Sequence, residues 1–196
     1  MTGIVEITDS GRGAVARVAV DRGFNCCSFA VDGHELLDSL PGFAQGEGRP
    51  SGHGIPILFP FPNRIRDGRF SWNGRSYQLP PPIAPDDGNG NAIHGFCLDR
   101  PWRVISQDTS SVTGEFQLSR DAADRRPLWP SDARIRVAYR LEDNRLLADV
   151  TIDNPDMEDL PFGFGTHPYF RLPLGSGGTA LDCRVHVPAH RQWELD

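Results

Sequence analysis

The sequence predicts an all-β chain, an antiparallel sandwich or barrel. Three observations carry the prediction. Apolar residues recur at every second position over several short stretches, which is the period of a strand with one buried face. Asn-Gly and Asp-Gly pairs punctuate those stretches and supply the positive φ angles of tight hairpin turns. The 21 glycines and 17 prolines among 196 residues leave little uninterrupted chain for long helices.

The elements follow in order. Cys27, Phe29 and Val31 alternate up to Asp32-Gly33, and Leu36-Leu37 resume beyond it as a hairpin. Pro41 to Pro62 is rich in glycine and proline and reads as a long irregular loop. Phe70-Ser71-Trp72, Asn73-Gly74, then Tyr77 and Leu79 make a second hairpin with a type I′ turn. Leu79 to Gly95, with three consecutive prolines and then DDGNGN, is a second irregular loop. Long loops in compact domains are often functional. Val112, Gly114, Phe116 and Leu118 form a strand. Ile135, Val137, Tyr139 and Leu141 form another, which turns at Glu142-Asp143-Asn144 and returns as Leu146, Ala148, Val150 and Ile152, one face buried throughout. Leu181, Cys183, Val185 and Val187 suggest one more strand. No repeat or internal boundary appears, so residues 1–196 read as one domain.

Composition narrows the function classes. A net charge of -6 supplies no basic field for nucleic acid or an anionic membrane surface. No apolar run is long enough to span a bilayer, and the opening residues do not resemble a secretory signal. The expected location is the cytoplasm. Lysine and arginine together number 20, and every one is arginine. Schiff-base, pyridoxal-phosphate and Walker-lysine chemistry are therefore excluded. Cys26, Cys27, Cys97 and Cys183 form no CxxC pair and read as buried reduced thiols. His186 and His190 lack a third ligand nearby, so no zinc site is expected. His34 and His53 lie in turn-like sequence and are expected to face solvent.

Three stretches carry residues suited to chemistry. In Phe61-Pro62-Asn63-Arg64-Ile65 a guanidinium beside an amide can donate several fixed hydrogen bonds to hydroxyl or ring oxygens; the plainer reading is a surface arginine between strands. In Asn91-Ala92-Ile93-His94-Gly95-Phe96 the glycine after His94 lets a ligand approach the backbone; otherwise His94 caps a loop. In GFGTHPYFRLP, from Gly163 to Pro173, glycines let the chain turn, Pro168 favours extended geometry at His167, and Tyr169 and Phe170 offer flat faces on which sugars stack; otherwise this is a sheet corner with a core histidine.

In this order the stretches resemble the aldose 1-epimerase (galactose mutarotase) family: FPNRI..GRFSWNGRSYQL at 61–79, NAIHGFCLDRPW at 91–102 and LPFGFGTHPYFRL at 160–172. The resemblance runs over the whole chain. It implies a large antiparallel β-sandwich, the galactose mutarotase-like supersandwich. It also implies a reaction, interconversion of the α and β anomers of a free aldose such as a hexose by acid–base ring opening. A histidine suits the acid, because its ordinary pKa of about 6.5 lets it give and regain a proton near neutrality. By resemblance His167 is the general acid and His94 the second active-site histidine. Asn63 and Arg64 bind the sugar, and Tyr169 and Phe170 form the aromatic part of the site. No metal or cofactor is implied.

The same resemblance places the family's catalytic glutamate past the position matching Asp196. The domain is thus expected to be incomplete at its C-terminus, with open sheet edges that favour a homo-oligomer. Two rival readings follow: a non-catalytic carbohydrate-binding β-sandwich that keeps the pocket, and a hexose-6-phosphate 1-epimerase using Arg49, Arg64, Arg66 and Arg69 for the phosphate. Asp86, Asp87, Asp99 and Glu47 are read as solvated loop carboxylates.

Overall fold

A computed structural model describes residues 3–9, 11–81, 83–174 and 177–191. It contains fourteen strands: β1 Ile4–Asp9, β2 Ala14–Ala19, β3 Asn25–Val31, β4 His34–Glu35, β5 Ile57–Leu58, β6 Arg64–Ile65, β7 Arg69–Trp72, β8 Arg75–Gln78, β9 Ala92–Ile93, β10 Arg103–Gln107, β11 Ser111–Gln117, β12 Arg134–Glu142, β13 Arg145–Asp153 and β14 Gly165–Thr166. Among the described residues the one α-helix, α1, is the single turn Leu118–Asp121.

Two four-stranded antiparallel sheets form the sandwich, in the orders β1-β2-β3-β4 and β10-β11-β12-β13. Their inner faces share one core. Ile7, Ala16 and Val18 come from the first sheet, and Val112, Phe116, Ile135, Val137 and Tyr139 from the second. Phe24 is the pin between them, stacked on Trp102 at 5.4 Å and on Tyr139 at 5.6 Å. Gly114 interrupts the apolar alternation of β11 for this reason: a Cβ there would lie 2.5 Å from the Phe24 ring. The sheets are also joined through backbone, where Thr8 N donates to Thr109 O at 2.7 Å and Trp102 N to Val20 O at 3.0 Å.

The expected hairpins form. Asp32, Asn73, Asp143 and Asn144 all adopt positive φ at their turns. The β12–β13 register pairs Leu141 with Leu146 and Ile135 with Ile152. Four expectations need correction. The returning strand β13 is not buried along one face: Val150 is 37% exposed, because among the described residues β13 is the last strand of its sheet. Leu181 to Val187 is not a strand. The chain there makes a 3-10 turn over Ala180–Asp182 and continues without pairing, leaving Leu181, Val185 and Val187 exposed; alternation without a neighbouring edge gives no ladder. Cys26, Cys27 and Cys97 are buried and unpaired as expected, but Cys183 is only half-buried. Of the turn histidines, His34 is exposed, whereas His53 is half-buried with its ring edge against Phe43 at 5.5 Å. Strands β1, β2 and β10 add to the sheets without having been expected. Positions 192–196 lie outside the described residues.

Candidate functional site

A spine of chain from Gly54 to Ile65 assembles the site. On one side it pairs with the histidine-bearing stretch 163–171. Gly163 N donates to Pro60 O, β14 pairs with β5, His167 N donates to Pro56 O at 3.2 Å, and Tyr169 N donates to Gly54 O at 2.8 Å. On the other side the spine holds the second histidine. Phe96 N donates to Phe59 O, His94 N to Asn63 O at 3.0 Å, and β6 pairs with β9. Two stretches far apart in sequence thus flank one run of chain and bring together the imidazoles of His94 and His167.

The glycines serve this packing. Gly95 has φ +82, and a Cβ on it would lie 2.1 Å from Phe59 O, so only glycine fits against the spine. Gly163 and Gly165 do not turn the chain as the sequence suggested. Neither stands at positive φ, Gly165 belongs to β14, and a Cβ would meet Pro62 at 2.7 Å and 3.1 Å respectively. They let stretch 163–171 lie flat on Pro62.

The rings of His94 and His167 stand 6.0 Å apart at 67°. Tyr169 stacks on the far side of His167 at 4.9 Å. His94 is half-buried and His167 exposed. Burial, then the His167 ring and the Arg64 guanidinium, hold the His94 imidazole below its ordinary pKa. His94 is therefore a neutral ring at pH 7. Its Nδ1 is enclosed without a protein hydrogen-bond partner, which leaves Nε2 as the nitrogen for a ligand. Phe170 bridges to Leu37 and is 52% exposed; among the described ring contacts none brings it to the histidines.

Arg64 is oriented from both sides. Its Nε donates to Asp87 Oδ2 at 2.8 Å and its Nη1 to Asn63 Oδ1 at 3.2 Å. Asp87 is the residue that the sequence reading passed over. Its carboxylate is 4% exposed and accepts from Asn91 Nδ2 and from the backbone N–H groups of Asn89 and Asn91. The Asn91 amide, then Arg64, holds it well below the usual carboxylate range. The signal was the DDGNGN stretch itself, whose aspartates and asparagines fold a loop on their own side chains.

Beside His94 lies a cleft of about 440 Å³ lined by Arg49, Ser51, Arg64, Asp86, Asp87, Ile93, Leu98 and Asp99 among others, a size that suits a small molecule. His167 stands outside this lining, across the His94 ring. Of the four arginines considered for a phosphate, Arg49 and Arg64 reach the cleft, whereas Arg69 bonds Gln78 on the β7–β8 hairpin. Of the loop aspartates, Asp87 and Asp99 are held in ion pairs, whereas Asp86 is exposed. Asp87 is bound as described, both oxygens of Asp99 are taken by Arg125, and Asp86 Oδ1 accepts from Gly88 N. Among the described residues no group of three or more His, Cys, Asp or Glu side chains could hold a metal ion, and no helix is long and apolar enough to cross a membrane.

Fold and site together define an antiparallel β-sandwich with two imidazoles at the edge of a polar cleft, an arrangement for proton transfer on a small polar molecule. The chain belongs to the aldose 1-epimerase family, whose model matches residues 10–196. It is 32% identical over 115 residues to the uncharacterized protein YphB of Escherichia coli, covering 59% of this chain and 36% of that one. It is 24% identical over 161 residues to the galactose mutarotase of Rattus norvegicus, covering 81% and 44%. A galactose mutarotase-like protein from Clostridium acetobutylicum shares the fold at a TM-score of 0.75 and 24% identity, covering 90% of this chain and 56% of that one. The Slr1438 protein of Synechocystis is similar at 0.72 and 26% identity, covering 88% and 56%. The chain thus spans less than half the length of these curated relatives.

Proposed function

We propose that this chain carries the acid half of an aldose 1-epimerase site for a neutral hexose. The observation that carries the reading is the pair of imidazoles 6.0 Å apart, one half-buried and neutral, one exposed. In this reading His167 protonates the ring oxygen, the ring opens, the C1–C2 bond rotates, and the ring closes as His167 takes the proton back. His94 holds the sugar through Nε2, Arg64 and Asn63 bind hydroxyls, and Tyr169 supports the His167 ring. The base that deprotonates the anomeric hydroxyl comes from a segment or chain other than the described residues. The support is that two of the three carboxylates lining the cleft, Asp87 and Asp99, are engaged by arginines, while the third, Asp86, is exposed and accepts a bond within its own loop. Three carboxylates also line the cleft with Arg49 and Arg64, which favours a neutral sugar over a hexose phosphate. The bound carboxylates equally favour the second reading, a carbohydrate-binding sandwich without turnover.

The same reading extends to the setting. Three buried unpaired cysteines suit a reducing cytoplasm. Exposed Phe162, Phe164, Phe170, Leu172 and Leu174 follow the outer edge of stretch 162–174, and we take this edge as the surface for association with a second chain. Sedimentation that gives a monomer at all concentrations would remove that part.

Polarimetry on freshly dissolved α-D-galactose tests the function. With this chain and added formate as a surrogate base, equilibration accelerates, and with the His167→Ala variant it does not. Binding of galactose without acceleration would leave only the carbohydrate-binding reading. No binding would overturn both.

A further inference from the structure

Arg125 lies outside the site, in the segment after α1, and only 3% of it is exposed. Its guanidinium bonds one side chain of the cleft wall, Asp99, and two backbone carbonyls that flank the cleft-lining loop in sequence. Its Nε donates to Ile83 O at 2.6 Å, and its Nη1 to Phe96 O at 2.8 Å. Nη1 and Nη2 also reach the two oxygens of Asp99 at 2.5 Å and 2.6 Å. Ile83 precedes the loop that carries Asp87 and His94, Phe96 follows His94 by two positions, and Asp99 is part of the cleft wall.

We propose that Arg125 is a positioning residue that clasps both ends of the loop bearing Asp87 and His94 and so sets the His94 wall of the cleft. The inference rests on the reading of this cleft as a hexose site. The loop needs such a clasp. His94 and Gly95 both stand at positive φ, +63 and +82, a backbone that a non-glycine residue holds only when its surroundings fix it. A planar fork can bond a carboxylate and two carbonyls at once, whereas a lysine ammonium, a compact charge, cannot match that geometry.

The test separates positioning from general stability. The charged and titratable groups that face His94 are His167 and Arg64, and neither changes in the variants. Arg125→Met and Arg103→Met each remove an arginine from its carboxylate partners, the latter from Glu115 on β11 and Asp121 on α1. Both are expected to lower the melting temperature. Only Arg125→Met is expected to move the His94 imidazole titration, followed by NMR without sugar, up toward about 6.5, and to weaken D-galactose binding about tenfold, on the order of 1.4 kcal/mol. Arg125→Lys is expected to move both readouts the same way by less. An Arg125→Met protein that is folded, with His94 titration and galactose affinity as in the wild type, overturns the proposal. If Arg125→Met does not fold, Arg125→Lys decides it, and unchanged readouts there are equally fatal. If the wild type binds no galactose, the hexose reading fails while the His94 titration still decides the clasp.

Discussion

The two flanks of the Gly54–Ile65 spine are built differently. On the His94 side the ring is half-buried, its backbone is pressed against Phe59, and a cleft wall of fixed ion pairs stands behind it. On the His167 side the ring is exposed and rests on Tyr169 at the outer edge of the sheet stretch, among exposed phenylalanines. One spine therefore carries a wall of fixed ion pairs on one flank and an open edge on the other. In the proposed reading the difference teaches that binding and proton transfer have separate structural supports. Damage to one flank should leave the other measurable.

The largest expected effect is on the open flank. His167→Ala should reduce formate-supported anomer exchange by roughly 10²–10⁴-fold, the usual worth of a general acid, while the melting temperature stays nearly constant because the ring is exposed. A large loss of stability in that variant would show that the two flanks are not separable. Next comes the buried flank. Gly95→Ala forces a Cβ against Phe59 O at positive φ and should cost roughly 2–4 kcal/mol in denaturant unfolding. Gly165→Ala, where a Cβ meets only Pro62 at 3.1 Å, should cost less than about 1 kcal/mol.

These pairs also show what could be read in the sequence. The Asn73-Gly74 and Asp32-Gly33 hairpins were readable because the turn chemistry is local. So was β12, where one alternating run is buried against a neighbouring sheet. Leu181 to Val187 has the same alternation and no ladder, since pairing depends on an edge that a sequence does not display. The roles of Gly163 and Gly165 were misread for a related reason: their contact is Pro62, a hundred positions away. His94 and His167 were joined by family resemblance and not by spacing. The Asp87–Arg64 and Asp99–Arg125 pairs span 23 and 26 positions and carried no local signal for the cleft, beyond the Asx-rich loop around Asp87.

Smaller effects concern pH. The Asp87 carboxyl titrates below its ordinary value of about 3.9 in the folded chain. The stability it contributes is therefore present above about pH 4 and lost as the pH falls below it. Asp87→Asn should flatten the acid limb of the stability curve and weaken hexose binding by releasing Arg64; an unchanged acid limb would argue against that pair. His94 also titrates below its ordinary value. Its neutral form favours the fold, so this contribution is full above about pH 6.5 and declines as the pH falls through the folded value. Thermal unfolding between pH 7.5 and 5 should show a shallower decline for His94→Asn than for the wild type, and parallel curves would contradict the assignment.

The most direct measurement is an NMR titration of D-galactose that follows the imidazole signals of His94 and His167 together. If the two rings face one sugar, both signals move along a single saturation curve, and Asp87→Asn shifts that curve to higher concentration for both. Movement of His94 alone, or two curves with different midpoints, would show that the open edge and the built wall do not share a ligand.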